Sequence, residues 1–132
     1  MANDLRPAKI AKASSKVEDP VRTAYFLELR EYRTARAIGE VAAAWRHLER
    51  AHILAQRRLW LHMGSHTRMF AFAFSRRDMR EMSGQLLRLA LVPFGALTGR
   101  LPVGNTGRAR VSAFIPMPVP EDLRPFVLQD AS

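Results

Sequence analysis

The sequence predicts an all-α fold, an antiparallel array of four helices with a long Gly/Pro-rich C-terminal segment wrapping across them. Three observations lead there. Apolar residues recur at steps of three and four through most of residues 20–91, the period of one helix face. Proline, glycine and capping residues cut that stretch into helix-length pieces. Beyond residue 92 the period stops, and glycine and proline accumulate. The chain has 132 residues, 48% of them hydrophobic, enough for a single core. It has no cysteine, which excludes disulfides, thiolate metal sites and cysteine nucleophiles.

Each element has a local reason. Residues 1–19 hold no aromatic residue and no apolar period, so they read as a flexible tail. Asp19-Pro20 is a start signal, an N-cap residue with proline in the first helical position. The first helix runs to Ile38 with Val21, Ala24, Tyr25, Leu29 and Tyr32 on one face, and Gly39 ends it. The second runs from Glu40 to Ala55, its face marked by Val41, Ala44, Trp45, Leu48, Ala51 and His52. Gln56, Arg57 and Arg58 form a tight connection to a third helix, Leu59 to Phe74, whose face includes His62, His66 and Met69. Ser75 to Asp78 supplies a turn and a cap, and a fourth helix continues to about Leu91, where Val92-Pro93-Phe94-Gly95 is expected to break it. Residues 20–91 are thus the helical part. Residues 92–132 are an extended part of the same domain, packing over the helices through Val111, Phe114, Ile115, Met117 and Val119 and ending in a short helix from Glu121 to Leu128.

An internal period supports the array. Placing Gly39-Glu40-Val41 over Arg77-Asp78-Met79 sets Ala44 over Met82, Leu48 over Leu86 and Ala51 over Leu89, a repeat of 38 residues that implies two helical hairpins. The run Gly39-Glu40-Val41-Ala42-Ala43-Ala44, followed by Leu48 and Ala51, resembles the second helix of a tetratricopeptide repeat. That resemblance implies tetratricopeptide-like packing of the two hairpins.

The residues that carry chemistry are the histidines. His62 and His66 stand at i, i+4, the helical spacing that lets two imidazoles reach one ion, and Glu49 with His52 places a carboxylate and an imidazole one turn apart. If the second and third helices pack antiparallel, His52 meets the other two near their connection. A site of His52, His62, His66 and Glu49 suits Zn(II), Fe(II) or Ni(II), with Met63 and Met69 adding a weaker copper option. The competing reading is that neutral histidines fill the core, bonded to backbone or to Glu28, Glu31 or Glu49. His47 falls off the apolar face and is expected to be solvated. No zincin pattern, nucleophile elbow or paired-carboxylate spacing occurs, so the expectation is a protein without enzymatic activity.

Charge suggests partners of a different class. The formal net charge is +9, and from Arg46 to Arg110 there are 12 arginines against Glu49, Asp78 and Glu81. Guanidinium forks suit carboxylates and phosphates, so an adaptor that meets an acidic protein or peptide through Arg57 and Arg58 is the alternative function. The loop from Gly104 to Arg108, through Asn105 and with Arg100 and Arg110 nearby, is a candidate anion cradle, although glycine-dependent turns explain it as well. Nucleic-acid binding is weaker, because Trp45 and Phe70 read as core and leave only Trp60 to stack on a base. The first residues contain no apolar segment of signal-peptide length, and no later run approaches the roughly 18 apolar residues of a membrane span, so a soluble cytoplasmic protein is expected.

Several blocks in one order, LERAHILAQ, HMGSH, RRDMRE with Gly84-Gln85, PVGNTGR and PMPVPEDL, resemble an uncharacterised bacterial family catalogued as domain of unknown function 3703. The resemblance covers about residues 22–124. It implies a small helical bacterial protein whose functional residues lie in those blocks, and it brings no established activity.

Overall fold

A computed structural model describes residues 18–132, and these are all-helical, with no strand among them. The expected tail, residues 1–17 of it, lies outside the described residues. Asp19 does not belong to a tail: its Oδ1 accepts the Arg22 backbone N–H at 3.1 Å, which caps the first helix.

Helix α1 is Pro20–Ala37, α2 is Val41–Ala55, α3 is Leu59–Ser75 and α4 is Met79–Thr98. A 3-10 turn, Glu121–Leu123, leads into α5, Arg124–Gln129. Gly39 has φ of +79°, a left-handed conformation that lets the chain leave α1 and re-enter α2 within three residues. Asp78 caps α4 by accepting the Glu81 N–H at 3.0 Å. No helix is long and apolar enough to cross a membrane among the described residues.

Consecutive helices pack on one another, α1 on α2, α2 on α3 and α3 on α4, while α5 lies against α1 and α2. Ala44, Ala51, Ala55 and Ala73 are completely buried, and their small side chains let the helices approach. Tyr25, Leu29, Leu48 and Met69 fill the space between, and Phe72 joins Tyr32 and Trp45 with ring centroids 5.5 and 4.9 Å away. Phe70, read as core from its spacing, is only half-buried.

Two expectations about α4 fail. The helix does not stop at Leu91 but runs through Pro93 to Thr98. Proline already holds a helical φ and costs one hydrogen bond, and the true stop is Gly99 with φ of +67°. The 38-residue register also fails there. Ala44, Leu48 and Ala51 are buried, but Leu86 is 56% exposed, and α4 buries Glu81, Gln85, Arg88 and Val92 instead. Those residues are four, three and four positions apart, one face of a helix, so α4 turns its polar stripe inward.

The chain from residue 99 to 120 forms neither helix nor strand. Gln56 holds it to the end of α2, donating from Nε2 to the Pro102 carbonyl and accepting the Gly104 N–H at Oε1, both at 2.9 Å. Arg88 holds it to α4 through Nη2, which donates to the Arg108 carbonyl at 2.7 Å and to the Val111 carbonyl. Near the C-terminus Arg58 pairs with Asp130 at 2.7 Å and with Asp19, and Arg50 pairs with Glu28 at 2.7 Å and with Asp122 at 2.5 Å.

Candidate metal centre

His52 lies in the last turn of α2, and His62 and His66 lie one turn apart in α3, so the short connection at residues 56–58 brings the three side chains to one place. All three are at least 95% buried, and their ring centroids form a near-equilateral triangle of 4.7, 4.7 and 4.9 Å. One ligand atom from each lies within 4.8 Å of the other two, close enough for the three to hold a metal ion.

The outer partners of the rings set which nitrogens face inward. His52 Nδ1 lies 2.9 Å from the Asn105 carbonyl, which can only accept, so His52 carries its proton on Nδ1. His66 Nδ1 lies 2.7 Å from Gln85 Oε1. The orientation of that amide is fixed because Gln85 Nε2 donates to Glu81 Oε1 and to the Gly107 carbonyl, both at 2.8 Å. His66 therefore also carries its proton on Nδ1. The Nε2 lone pairs of both rings then point at His62 Nε2, at 2.9 and 3.2 Å. An ion about 2.05 Å from each nitrogen would see these separations at about 90° and about 103°, between octahedral and tetrahedral angles.

Electrostatics keep the cluster neutral. Burial, joined by repulsion from the other two rings, pushes His52 well below the ordinary histidine range. Burial also takes His62 down to about 3 and His66 down to about 4, the second despite the opposing bond to Gln85. Neutral imidazoles are the form in which histidine ligates a metal.

The other expected site residues divide. Glu49 is not part of the group: its Oε1 accepts from Arg108 Nη1 at 3.0 Å. Arg108 is itself buried, lies 3.7 Å over the Trp45 ring and has Nε 3.2 Å from Glu81 Oε2, so it is a structural cation and not an exposed contact. Arg58 is likewise committed to Asp19 and Asp130, whereas Arg57, Arg100 and Arg110 are exposed. Three of the five amides in the loop from Gly104 to Arg108 are engaged within the fold. The N–H groups of Gly104, Asn105 and Gly107 donate to Gln56 Oε1, the Pro102 carbonyl and Asn105 Oδ1. Both glycines have positive φ, +79° and +80°, as a tight turn requires. Met69 packs in the core outside the histidine group. His47 is partly exposed, and its Nδ1 also lies 2.7 Å from Glu28 Oε2. Trp60 is 80% exposed, as its spacing implies.

Sequence reasoning missed Gln85 as the partner of His66, and Asn105 and Gly107 as the support of His52. Gln85 was detectable in principle, since Glu81, Gln85 and Arg88 form a polar stripe at helical spacing inside an apolar helix. The Gly107 contact was not, because a Cβ there would sit 3.0 Å from the His52 ring, an approach made by tertiary folding alone.

Among curated proteins and solved structures, none matches this chain. One family model does, over residues 19–127, and it includes all three histidines, Gln85 and the loop that supports them. The chain therefore belongs to the family described as Protein of unknown function (DUF3703).

Proposed function

We propose that this protein binds a divalent transition metal on His52, His62 and His66. The observation that carries the proposal is the arrangement of the outer nitrogens. Asn105 and Gln85 hold two rings in the tautomer that aims their lone pairs at the third, and an inward lone pair on His62 as well would be repulsive without a cation between the three. A metal-free core uses only one such contact at a time, His62 Nε2–H donating to one neighbouring ring, whereas an ion engages all three nitrogens at once. Three imidazoles without a carboxylate favour zinc over iron, whose non-haem sites commonly include one.

The test is metal analysis of protein purified without a histidine tag. About one equivalent of metal is expected in the native chain and in Glu49→Gln, and far less in the His62→Ala/His66→Ala double variant. Equal metal in native protein and double variant would overturn the reading.

For the whole chain, we propose a single domain over residues 20–132, with α1–α2 and α3–α4 as two antiparallel hairpins and residues 99–120 wrapped across them. The three-residue connections at 38–40, 56–58 and 76–78 and the bonds from Gln56, Gln85 and Arg88 to the C-terminal segment support this arrangement.

A further inference from the structure

The three histidines are not sealed on every side. They form part of the wall of a cavity of about 240 Å³ that lies between α4 and the C-terminal segment. Leu91, Val92, Leu101 and Ala113 contribute apolar wall, and the exposed residues Thr98, Arg100 and Phe114 also line it, so the cavity reaches solvent on their side. A structural zinc site is closed by four protein ligands, whereas three protein ligands facing a cavity are the pattern of a site that receives something else. Among the described residues the group offers three donors, and no carboxylate lines the cavity.

The charges in that cavity are of one sign. Arg88 lines it and is 94% buried, and it bonds only to the carbonyls of Gly84, Arg108 and Val111, with no carboxylate paired to it among the described residues. Arg100 adds a second guanidinium at the exposed side. The neutral polar residues there are already committed: Gln56 to Pro102 and Gly104, and the Asn105 side chain to Gly107, Ser112 and Ile115. A divalent ion on three neutral imidazoles would add two further positive charges with nothing in the wall to balance them. The Glu81 carboxylate lies behind Gln85 and acts on Arg88 and His66, but it does not line the cavity, so the positive charge that faces the cavity itself suits an anionic ligand with an apolar body. The volume, just under the roughly 300–1,000 Å³ of pockets for drug-sized molecules, calls for a small one.

We infer that the cavity binds a short-chain organic carboxylate, its head occupying the remaining coordination position of the ion and its chain lying along the wall formed by Leu91, Val92 and Leu101. The inference rests on the metal reading above and adds the ligand class. Arg88 and Arg100 balance the head, and the bound chain displaces water from the apolar wall.

The two readings separate in one experiment. The full chain is stripped of metal, loaded with Co(II), whose visible spectrum reports its coordination, and titrated with acetate, butyrate and hexanoate, with butylamine as a control of opposite charge. The carboxylates should shift the spectrum saturably, binding about fourfold tighter per added methylene until the cavity is full, and butylamine should do nothing. Arg100→Glu, on the surface, should weaken hexanoate about fivefold without changing the ligand-free spectrum. Ala113→Phe, which narrows the cavity, should abolish the dependence on chain length. A Co(II) spectrum that no carboxylate alters would overturn the ligand inference and leave the metal reading standing, as would an affinity independent of chain length. Failure of the native protein to bind Co(II) would overturn both.

Discussion

Each histidine of the cluster has one ring nitrogen turned outward, and what that nitrogen meets decides what the inner one can do. Gln85 is the clearest case. Its amide oxygen accepts the hydrogen bond from His66 Nδ1–H while its amide nitrogen donates to Glu81 and Gly107, so the amide cannot flip without losing bonds on both sides. Glu81 is held in turn by Arg108 and by the Ala109 N–H at 3.0 Å. The chain of contacts from Arg108 through Glu81 and Gln85 to His66 is an outer shell that fixes a tautomer. Gln85→Met keeps the volume and removes all three bonds. It should weaken metal binding by about 10–100-fold with the helix content intact, as read by competition with a chromophoric chelator. Unchanged affinity would mean that the amide does not orient the ring.

At the scale of the element, the loop after α4 is a platform for α2. Gly104 sits where an added Cβ would stand 1.9 Å from the Met117 carbonyl oxygen, and Gly107 is stacked on His52, so the loop between them can present the Asn105 carbonyl to the ring only with glycine at both ends. Gly104→Ala must therefore move backbone. The comparison is Gly39→Ala, which has the same φ but nothing within 4 Å of the added carbon. Gly39→Ala should cost about 1–2 kcal/mol, the strain of a left-handed alanine, and leave metal affinity unchanged. Gly104→Ala should cost more and weaken metal binding as well, both measured by urea unfolding and metal titration; equal effects from the two substitutions would sever the loop from the site. The helix boundaries at Asp19-Pro20 and Gly39 were legible because capping and left-handed turns are local chemistry. So were the histidines of α2 and α3, whose apolar neighbours reveal the inward face. The orientation of α4 was not legible from its leucines, because its buried face is chosen by what Gln85 and Arg88 bind across the fold, and Leu86 is exposed as a consequence. Glu49 misled for a related reason: its spacing from His52 suits a ligand, but Arg108, 59 residues away in the chain, claims it.

For the whole molecule, three buried neutral histidines tie stability to pH. Unfolded histidine takes up its proton near pH 6.5, whereas in the folded protein His62 and His66 do so only at about 3 and about 4, and burial holds His52 well below the ordinary range too. Between pH 6.5 and about 4 the unfolded chain therefore binds more protons than the folded one, and stability must fall as the pH falls. The stabilisation is fully present above the unfolded value and is lost on the acid side. From pH 7.5 to 5.5 each such histidine contributes about 1.4 kcal/mol of loss, about 4 kcal/mol for three, a large share of the roughly 5–15 kcal/mol that holds a domain together. Asp19 and Asp122, both held below their ordinary carboxylate values by Arg58 and Arg50, titrate at lower pH and leave this window to the histidines. Urea unfolding of chelator-treated protein at pH 7.5, 6.5 and 5.5 measures the effect. The His62→Ala/His66→Ala variant should lose only about a third as much across the same range. A flat profile in the native chain would mean that the three rings are not neutral and buried together, and the basis for placing an ion among them would go with it.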